Sequence, residues 1–210
     1  MGLKQQVRQA VVAQFHRPAG VVGQAVGLVM SHRSSNVGRN RWAVGLLEVK
    51  PHDRVLELGC GPGVALSALA ARAEAGLVVG MDHSHVMTAQ AGHRNRRAVR
   101  DGRVVVVTAG VDALELLAPG FDAVLAVNTV GMWKDPAGRL EQVLRLLRPG
   151  GRIAVVSQPR SPGATAATTD NAAAGLSGEL ASAGFANLRV ELLALRPPVA
   201  CVLAEAPGSA

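Results

Sequence analysis

The sequence predicts a three-layer α/β/α fold: helices on both faces of a seven-stranded, mostly parallel sheet, with an antiparallel last strand. Three observations predict it. From residue 53 onward, short and nearly continuous Val/Leu runs alternate with Ala/Arg/Leu segments of helical period, as buried parallel strands joined by crossover helices do. A glycine cluster, Gly59, Gly61 and Gly63, directly follows the first strand-like run. Near the end, two apolar stretches are separated by little more than Arg196-Pro197-Pro198, a link so short that the strands must pair antiparallel.

Taken in order, residues 53–58, 77–81, 104–108, 121–127 and 152–157 read as strands, bounded by Gly, Pro or Asp. Between them, 64–72, 84–97 and 137–147 have helical spacing; the last carries Leu140, Val143, Leu144 and Leu147 on one face and stops at Pro149-Gly150-Gly151. The stretch between Thr108 and Phe121 leaves room for an irregular helical piece. Residues 159–169 are rich in Pro, Gly, Ser, Ala and Thr and read as a loop; a helix follows over 172–183, closed by Gly184, then strands over 188–194 and 199–205. The first 50 residues carry helical patterns only, so the chain divides into an N-terminal helical lid, 1–50, and a main domain, 51–210.

Composition bounds the rest. Of the 210 residues, 49% are hydrophobic and 18% charged, enough apolar material for a large core and inconsistent with wholesale disorder. Aromatics are 2%, with no Tyr, so Val, Leu and Ala must fill the interior. No apolar run approaches the roughly 18 to 20 residues that cross a bilayer, and no secretory signal is visible, so a cytoplasmic protein without a membrane span is expected. Cys60 and Cys201 lack metal-ligand spacing. The net charge of +7 sits almost wholly in residues 1–54, where eight Lys or Arg face two acids. Such an arm attracts nucleic acid or an acidic substrate, but no aromatics interleave with the bases, which disfavours nucleic acid as partner.

The glycine turn carries the chemistry. Glycines let a backbone approach a ligand closely, and this turn falls at the carboxyl edge of the sheet, where doubly wound folds bind nucleotides. A dinucleotide fingerprint would need glycine at position 64, which is Val64, and no Gly-Lys-Ser/Thr follows, so nicotinamide and P-loop readings fail.

Glu57-Leu58-Gly59-Cys60-Gly61-Pro62-Gly63 resembles the first motif of class I S-adenosylmethionine-dependent methyltransferases, proteins of Rossmann-like fold. Gly80-Met81-Asp82-His83-Ser84, Gly110-Val111-Asp112-Ala113, Phe121-Asp122-Ala123-Val124 and Leu146-Leu147-Arg148-Pro149-Gly150-Gly151 resemble the motifs that follow in that family, in order. The resemblance implies S-adenosylmethionine as cofactor, S-adenosylhomocysteine as product, and a cradle in which Glu57, Gly59, Cys60, Gly61 and Gly63 wrap the methionine and ribose. Asp82 would take the ribose hydroxyls, with His83 and Met87 beside it; a carboxylate suits a diol because each oxygen accepts one hydroxyl. Gly110 and either the Val111 backbone or the Asp112 side chain would meet the adenine. Asn128, Thr129 and Trp133 would face the cleft after the fourth strand. Asp82 also reads as a helix-start acid, Asn128 as a turn residue and Trp133 as a packing residue; Asp122 reads as orienting a strand.

What is missing narrows the reaction. Asn128-Thr129-Val130-Gly131 is not the Asn/Asp-Pro-Pro-Tyr that would resemble adenine or glutamine methyltransferases, and the acids of metal-dependent catechol-type enzymes are absent, so no metal is expected. His16 and His32, with Asn128, are the candidate catalytic residues; Asn36, Asn40 and Trp42 could border the pocket from the helical side. The expectation is metal-independent, in-line methyl transfer to a modest-sized, apolar small-molecule acceptor in a closed pocket. The alternatives are an RNA or DNA methyltransferase using the basic arm and a non-catalytic cofactor-binding protein. A homodimer is compatible with these features.

Overall fold

A computed structural model of the chain describes residues 34–208. The sheet has seven strands in the order β3-β2-β1-β4-β5-β7-β6: β1 Arg54–Leu58, β2 Leu77–Asp82, β3 Val104–Thr108, β4 Phe121–Val127, β5 Leu147–Ser157, β6 Ala186–Leu193 and β7 Val199–Glu205. Strands β1 to β5 are parallel neighbours, and β7 runs antiparallel to both β5 and β6. The helices are α1 Ser34–Leu46, α2 Val64–Ala70, α3 His85–Arg94, α4 Arg96–Arg100, α5 Pro136–Leu146 and α6 Ala166–Ser182, with 3-10 turns at Val111–Leu116 and Val130–Met132. Strand order reverses between β1 and β4, so the crevice of the doubly wound fold opens above their carboxyl ends.

Strand residues alternate between two cores because successive side chains point to opposite faces. Leu56, Val124, Ile153 and Val202 pack with Leu140 and Val143 of α5 and Leu180 of α6. On the other face, Val55, Leu125, Ala154 and Cys201 pack with Val44 of α1 and Leu66 and Leu69 of α2. Each fully buried leucine or valine contributes about 1.5–3 kcal/mol, and small alanines between them let helices approach the sheet without large aromatics.

The amino edge of the sheet is held by carboxylates. Asp53 accepts from the Lys50 N–H at 2.9 Å and from Arg152 at 2.5 Å. Asp122 accepts from the Arg54 N–H at 2.6 Å and pairs with Arg148 at 2.6 Å. Asp122 thus orients the start of β4, as the sequence suggests, and lies at the edge away from the glycine turn.

Three expectations shift. The helix expected over 84–97 breaks at Asn95, whose side chain bonds back to the Ala91 carbonyl at 2.9 Å. The loop expected over 159–169 ends early: Thr165 and Thr168 form a capping box that starts α6 at Ala166, six residues before the composition suggests. β5 starts at Leu147, because the turn at Pro149-Gly150-Gly151 stays hydrogen-bonded to the end of β7 through Ala206. Of the expected lid, only α1 lies within the described residues; it packs on α2, β5 and β7. His16 and His32 lie outside them.

Candidate cofactor and acceptor site

The glycine turn is tied to the end of β2. The N–H groups of Gly59 and Cys60 both donate to the Met81 carbonyl, at 2.8 and 3.0 Å, and that of Gly61 donates to Asp82 Oδ2 at 2.9 Å. Gly59, Gly61 and Gly63 all have left-handed φ, at 69°, 51° and 76°, a region costly for residues with a Cβ. Their surroundings differ. A Cβ on Gly59 would fall 2.1 Å from Cγ2 of Thr129, and one on Gly63 would fall 2.8 Å from Cα of Ala91. A Cβ on Gly61 would meet nothing within 4 Å. Gly59 and Gly63 are required by packing; Gly61 faces open space at the crevice.

Asn95 braces the same turn, donating to the Gly63 carbonyl at 3.1 Å and accepting from Ser67 at 2.7 Å. Sequence reading missed it; a lone Asn inside a helical pattern was the only signal.

Asp82 is 8% exposed. Its two oxygens take one backbone N–H each, Gly61 on Oδ2 and Ser84 on Oδ1, both at 2.9 Å. A carboxylate oxygen has two acceptor positions, so both retain one. His83 adjoins it, with Nδ1 3.7 Å from Oδ1 and a half-exposed side chain. Gly110, after β3, lies against the Cβ of His83, which brings the ends of β2 and β3 together as one wall. Ser84 caps α3 and places Met87 in the core, 3% exposed.

Glu57 is 2% exposed, and its Oε2 has no hydrogen-bond partner. Burial first, and then the charge of Asp82, push its carboxyl well above the usual carboxylate range, against the opposing hydrogen bond from the Leu66 backbone. The Cys60 thiol is raised by burial and by both carboxyls, which makes it inert; its side chain packs in the core, and only its backbone belongs to the turn.

Other expected residues are already engaged. Asp112 is exposed and pairs with Arg139 of α5 at 2.6 Å, leaving the Val111 side chain partly buried against the core. Thr129 packs beneath Gly59 and bonds the Leu58 carbonyl at 3.4 Å. Trp133 packs partly against the core. Asn128 sits at the end of β4 with φ 56°, and its Oδ1 accepts from the Gln158 N–H at 2.7 Å; it is a turn residue. Asn36 and Asn40 are buried with Arg39 between them: Asn40 donates to the Asn36 carbonyl at 2.7 Å, and Arg39 bonds the Asn36 side chain. Trp42 packs against the core of that face. Arg39 escaped sequence reading because α1 has weak periodicity and its arginines look alike as charges.

Among the described residues, no group of three His, Cys, Asp or Glu is placed to hold a metal, and no helix is long and apolar enough to cross a membrane.

Residues 55–151 match the family model of a methyltransferase domain. The chain is 27% identical over 184 residues to an uncharacterised methyltransferase of Bacillus subtilis, covering 87% of this chain and 98% of that one. It is 35% identical over 113 residues to the 27-O-demethylrifamycin SV methyltransferase of Amycolatopsis mediterranei, covering 53% of this chain and 40% of that one. In fold it is similar to a SAM-dependent methyltransferase from Aquifex aeolicus, with a TM-score of 0.70 at 18% identity, over 87% of this chain and 98% of that one. The strand order and these matches agree: residues 55–151 form a methyltransferase domain, and the sheet is that of the Rossmann-like methyltransferase fold.

Proposed function

We propose that the protein binds S-adenosylmethionine at the carboxyl edge of β1 and β2 and transfers its methyl group to a small-molecule acceptor. The observation that carries this is Gly61: a left-handed glycine whose missing Cβ would point into empty space, with its N–H bonded to Asp82. Gly102 and Gly150 are also left-handed beside open space; what sets Gly61 apart is the bond from its N–H to Asp82, which ties the open turn to a buried carboxylate. The cofactor fits these residues. Asp82 keeps one acceptor position on each oxygen for a vicinal diol, and Glu57 keeps an unpartnered buried oxygen beneath the turn.

When bound, S-adenosylmethionine supplies an electrophilic methyl on a sulfonium, open to in-line displacement. The residues of the chain align and exclude water, which supplies much of the rate for such a step. Gly61 lets the backbone approach; Asp82 orients the ribose; Asn128, at the end of β4, has its side chain fixed by the Gln158 N–H.

A small-molecule acceptor is supported by the relative that methylates 27-O-demethylrifamycin SV, itself a small molecule. Within the basic arm Arg39 is 3% exposed, whereas Arg41, Lys50 and Arg54 are exposed; the small-molecule reading rests on that relative and not on the arm. The buried, unpaired Cys60 and Cys201 suit the cytoplasm. Calorimetric titration with S-adenosylhomocysteine tests the reading: stoichiometric binding is expected, and a well-folded protein that takes up neither it nor S-adenosylmethionine refutes it.

A further inference from the structure

We infer that two copies of this chain associate edge to edge along β6, in an antiparallel pairing whose two-fold axis passes through Val190. β6 ends the sheet: it pairs with β7 on one side, and among the described residues no strand lies on the other. A free strand edge presents unpaired N–H and C=O groups to any strand that can align with it. The features that usually block such pairing are sparse here. Residues 189–193 hold no Pro and no Lys. The irregularity in the strand, between Ala186 and Arg189 with Asn187 at φ 53°, lies before them. From Arg189 to Leu193 the strand keeps regular register with β7.

The side chains along this edge are sorted by face. Val190 and Leu192 stand opposite Val202 and Ala200 of β7, on the α6 face, yet they are 47% and 57% exposed. Arg189 and Glu191 stand on the other face, opposite Leu203 and Cys201. They are half-exposed and pair with each other at 2.9 Å.

A second copy answers both faces at once. A two-fold axis perpendicular to the sheet keeps each face on its own side, so a residue can oppose only one whose side chain shares its face. Centred on Arg189 or on Glu191, the pairing would set like charges against each other. Centred on Val190, it sets Arg189 against Glu191 of the second copy, and Glu191 against its Arg189. Opposite charges directly across two strands stabilise the pair, and like charges destabilise it. On the α6 face Val190 meets its own counterpart, and Leu188 comes beside Leu192 of the second copy. The segment Leu188-Arg189-Val190-Glu191-Leu192 is thus complementary to itself, as an isologous contact requires, and the contact closes at two copies. Residues 1–33 of the same chain are a poorer occupant of this edge: they contain no Asp or Glu to set against Arg189.

Analytical ultracentrifugation of the full chain over a concentration series tests the pairing. Wild type should sediment as a dimer that dissociates on dilution. R189E and E191R each set like charges across the axis twice, so each should weaken the dimer roughly ten- to hundredfold. Mixed in equal amounts, the two variants should regain wild-type affinity as a heterodimer, because every charge then meets its opposite. R189E/E191R should dimerise on its own as wild type does. Both side chains are half-exposed, so circular dichroism melts of the single variants should stay close to wild type. A wild-type chain that is monomeric at every concentration overturns the proposal. So does a dimer that both single variants leave intact, which would place the contact elsewhere, such as the opposite sheet edge at β3, where Val105 is also exposed. Loss of the dimer in both variants with no recovery in the mixture refutes the register centred on Val190.

Discussion

Alanine placed separately at Gly59, Gly61 and Gly63 divides the turn into the part that packs and the part that faces a ligand. All three substitutions put an L side chain at positive φ, at about 1–2 kcal/mol each. For Gly61 that is the whole stability effect, because the new methyl meets nothing within 4 Å. For Gly63 the methyl would sit 2.8 Å from the Cα of Ala91 and 2.7 Å from the Asn95 amide. The helix backbone cannot swing aside, so overpacking adds about 1–3 kcal/mol. Gly59→Ala meets Cγ2 of Thr129 at 2.1 Å, an atom that Thr129→Ser removes; the double variant should recover part of the loss and leave the φ strain. Urea denaturation reads the stabilities, and calorimetry reads S-adenosylhomocysteine affinity. Gly61→Ala should be the most stable of the three yet lose at least roughly tenfold in affinity, about 1.4 kcal/mol. Wild-type affinity in Gly61→Ala would show that the turn faces no ligand, and stability as poor as that of Gly63→Ala would show that the space beside it is filled.

Three further perturbations follow from the same geometry. Asp82→Asn should weaken S-adenosylhomocysteine by about 1–3 kcal/mol in calorimetry, since one oxygen that holds the Gly61 N–H or a ribose hydroxyl becomes a donor; unchanged affinity removes the ribose assignment. Asp122→Ala should cost about 1–3 kcal/mol of stability by stranding the Arg54 N–H and freeing Arg148, with cofactor affinity untouched; a drop in affinity at constant fold would contradict its placement at the far edge. Glu57 titrates in the folded chain above its ordinary range, so its contribution is fully present below the ordinary carboxylate value and is lost as pH rises through the raised one. Glu57→Gln mimics the protonated form, so its stability advantage over wild type should widen as pH rises above the ordinary carboxylate range, with a slope approaching about 1.4 kcal/mol per pH unit; parallel stability curves would contradict the burial argument.

The strands were legible because buried parallel strands are apolar along their whole length: Val104–Thr108, Phe121–Val127 and Val199–Glu205 were predicted to the residue. Boundaries set by side-chain capping were not. Nothing in the Pro/Gly/Ser/Thr composition of 159–169 distinguishes a loop from a Thr165–Thr168 capping box, and the break at Asn95 depends on its long-range bond to the turn at Gly63. At the site, the glycine spacing and the acid at the end of β2 were visible in sequence. The division of labour among the three glycines was not, since it depends on Thr129 and Ala91, which lie far away in the chain. Arg39 was the least visible of all. Local pattern cannot tell a buried guanidinium from its solvated neighbours, because the burial comes from Gln158, at the end of a strand beyond a hundred intervening residues.

The two edges of the sheet show where stability was given up. The amino edge is closed by Asp53 and Asp122, each carrying a backbone N–H and an arginine, although Gly102 and Gly120 are left-handed there too and Arg152 Nε is buried without a hydrogen-bond partner. The carboxyl edge of the same strands gathers Gly59, Gly61, Gly63 and Asn128 in the left-handed region, buries Glu57 with an unpartnered oxygen, and sets Asp82 close enough to raise it further. What the amino edge lacks is two buried carboxyls set together with no arginine paired to either among the described residues, as Glu57 and Asp82 are, and mismatched charge of that kind is what a binding site leaves when its ligand completes the interactions. Substitutions that relieve the carboxyl edge, Glu57→Gln first among them, should therefore raise stability and lower cofactor affinity together. Gains in stability there with full retention of S-adenosylhomocysteine binding would mean that the strain serves something other than the cofactor.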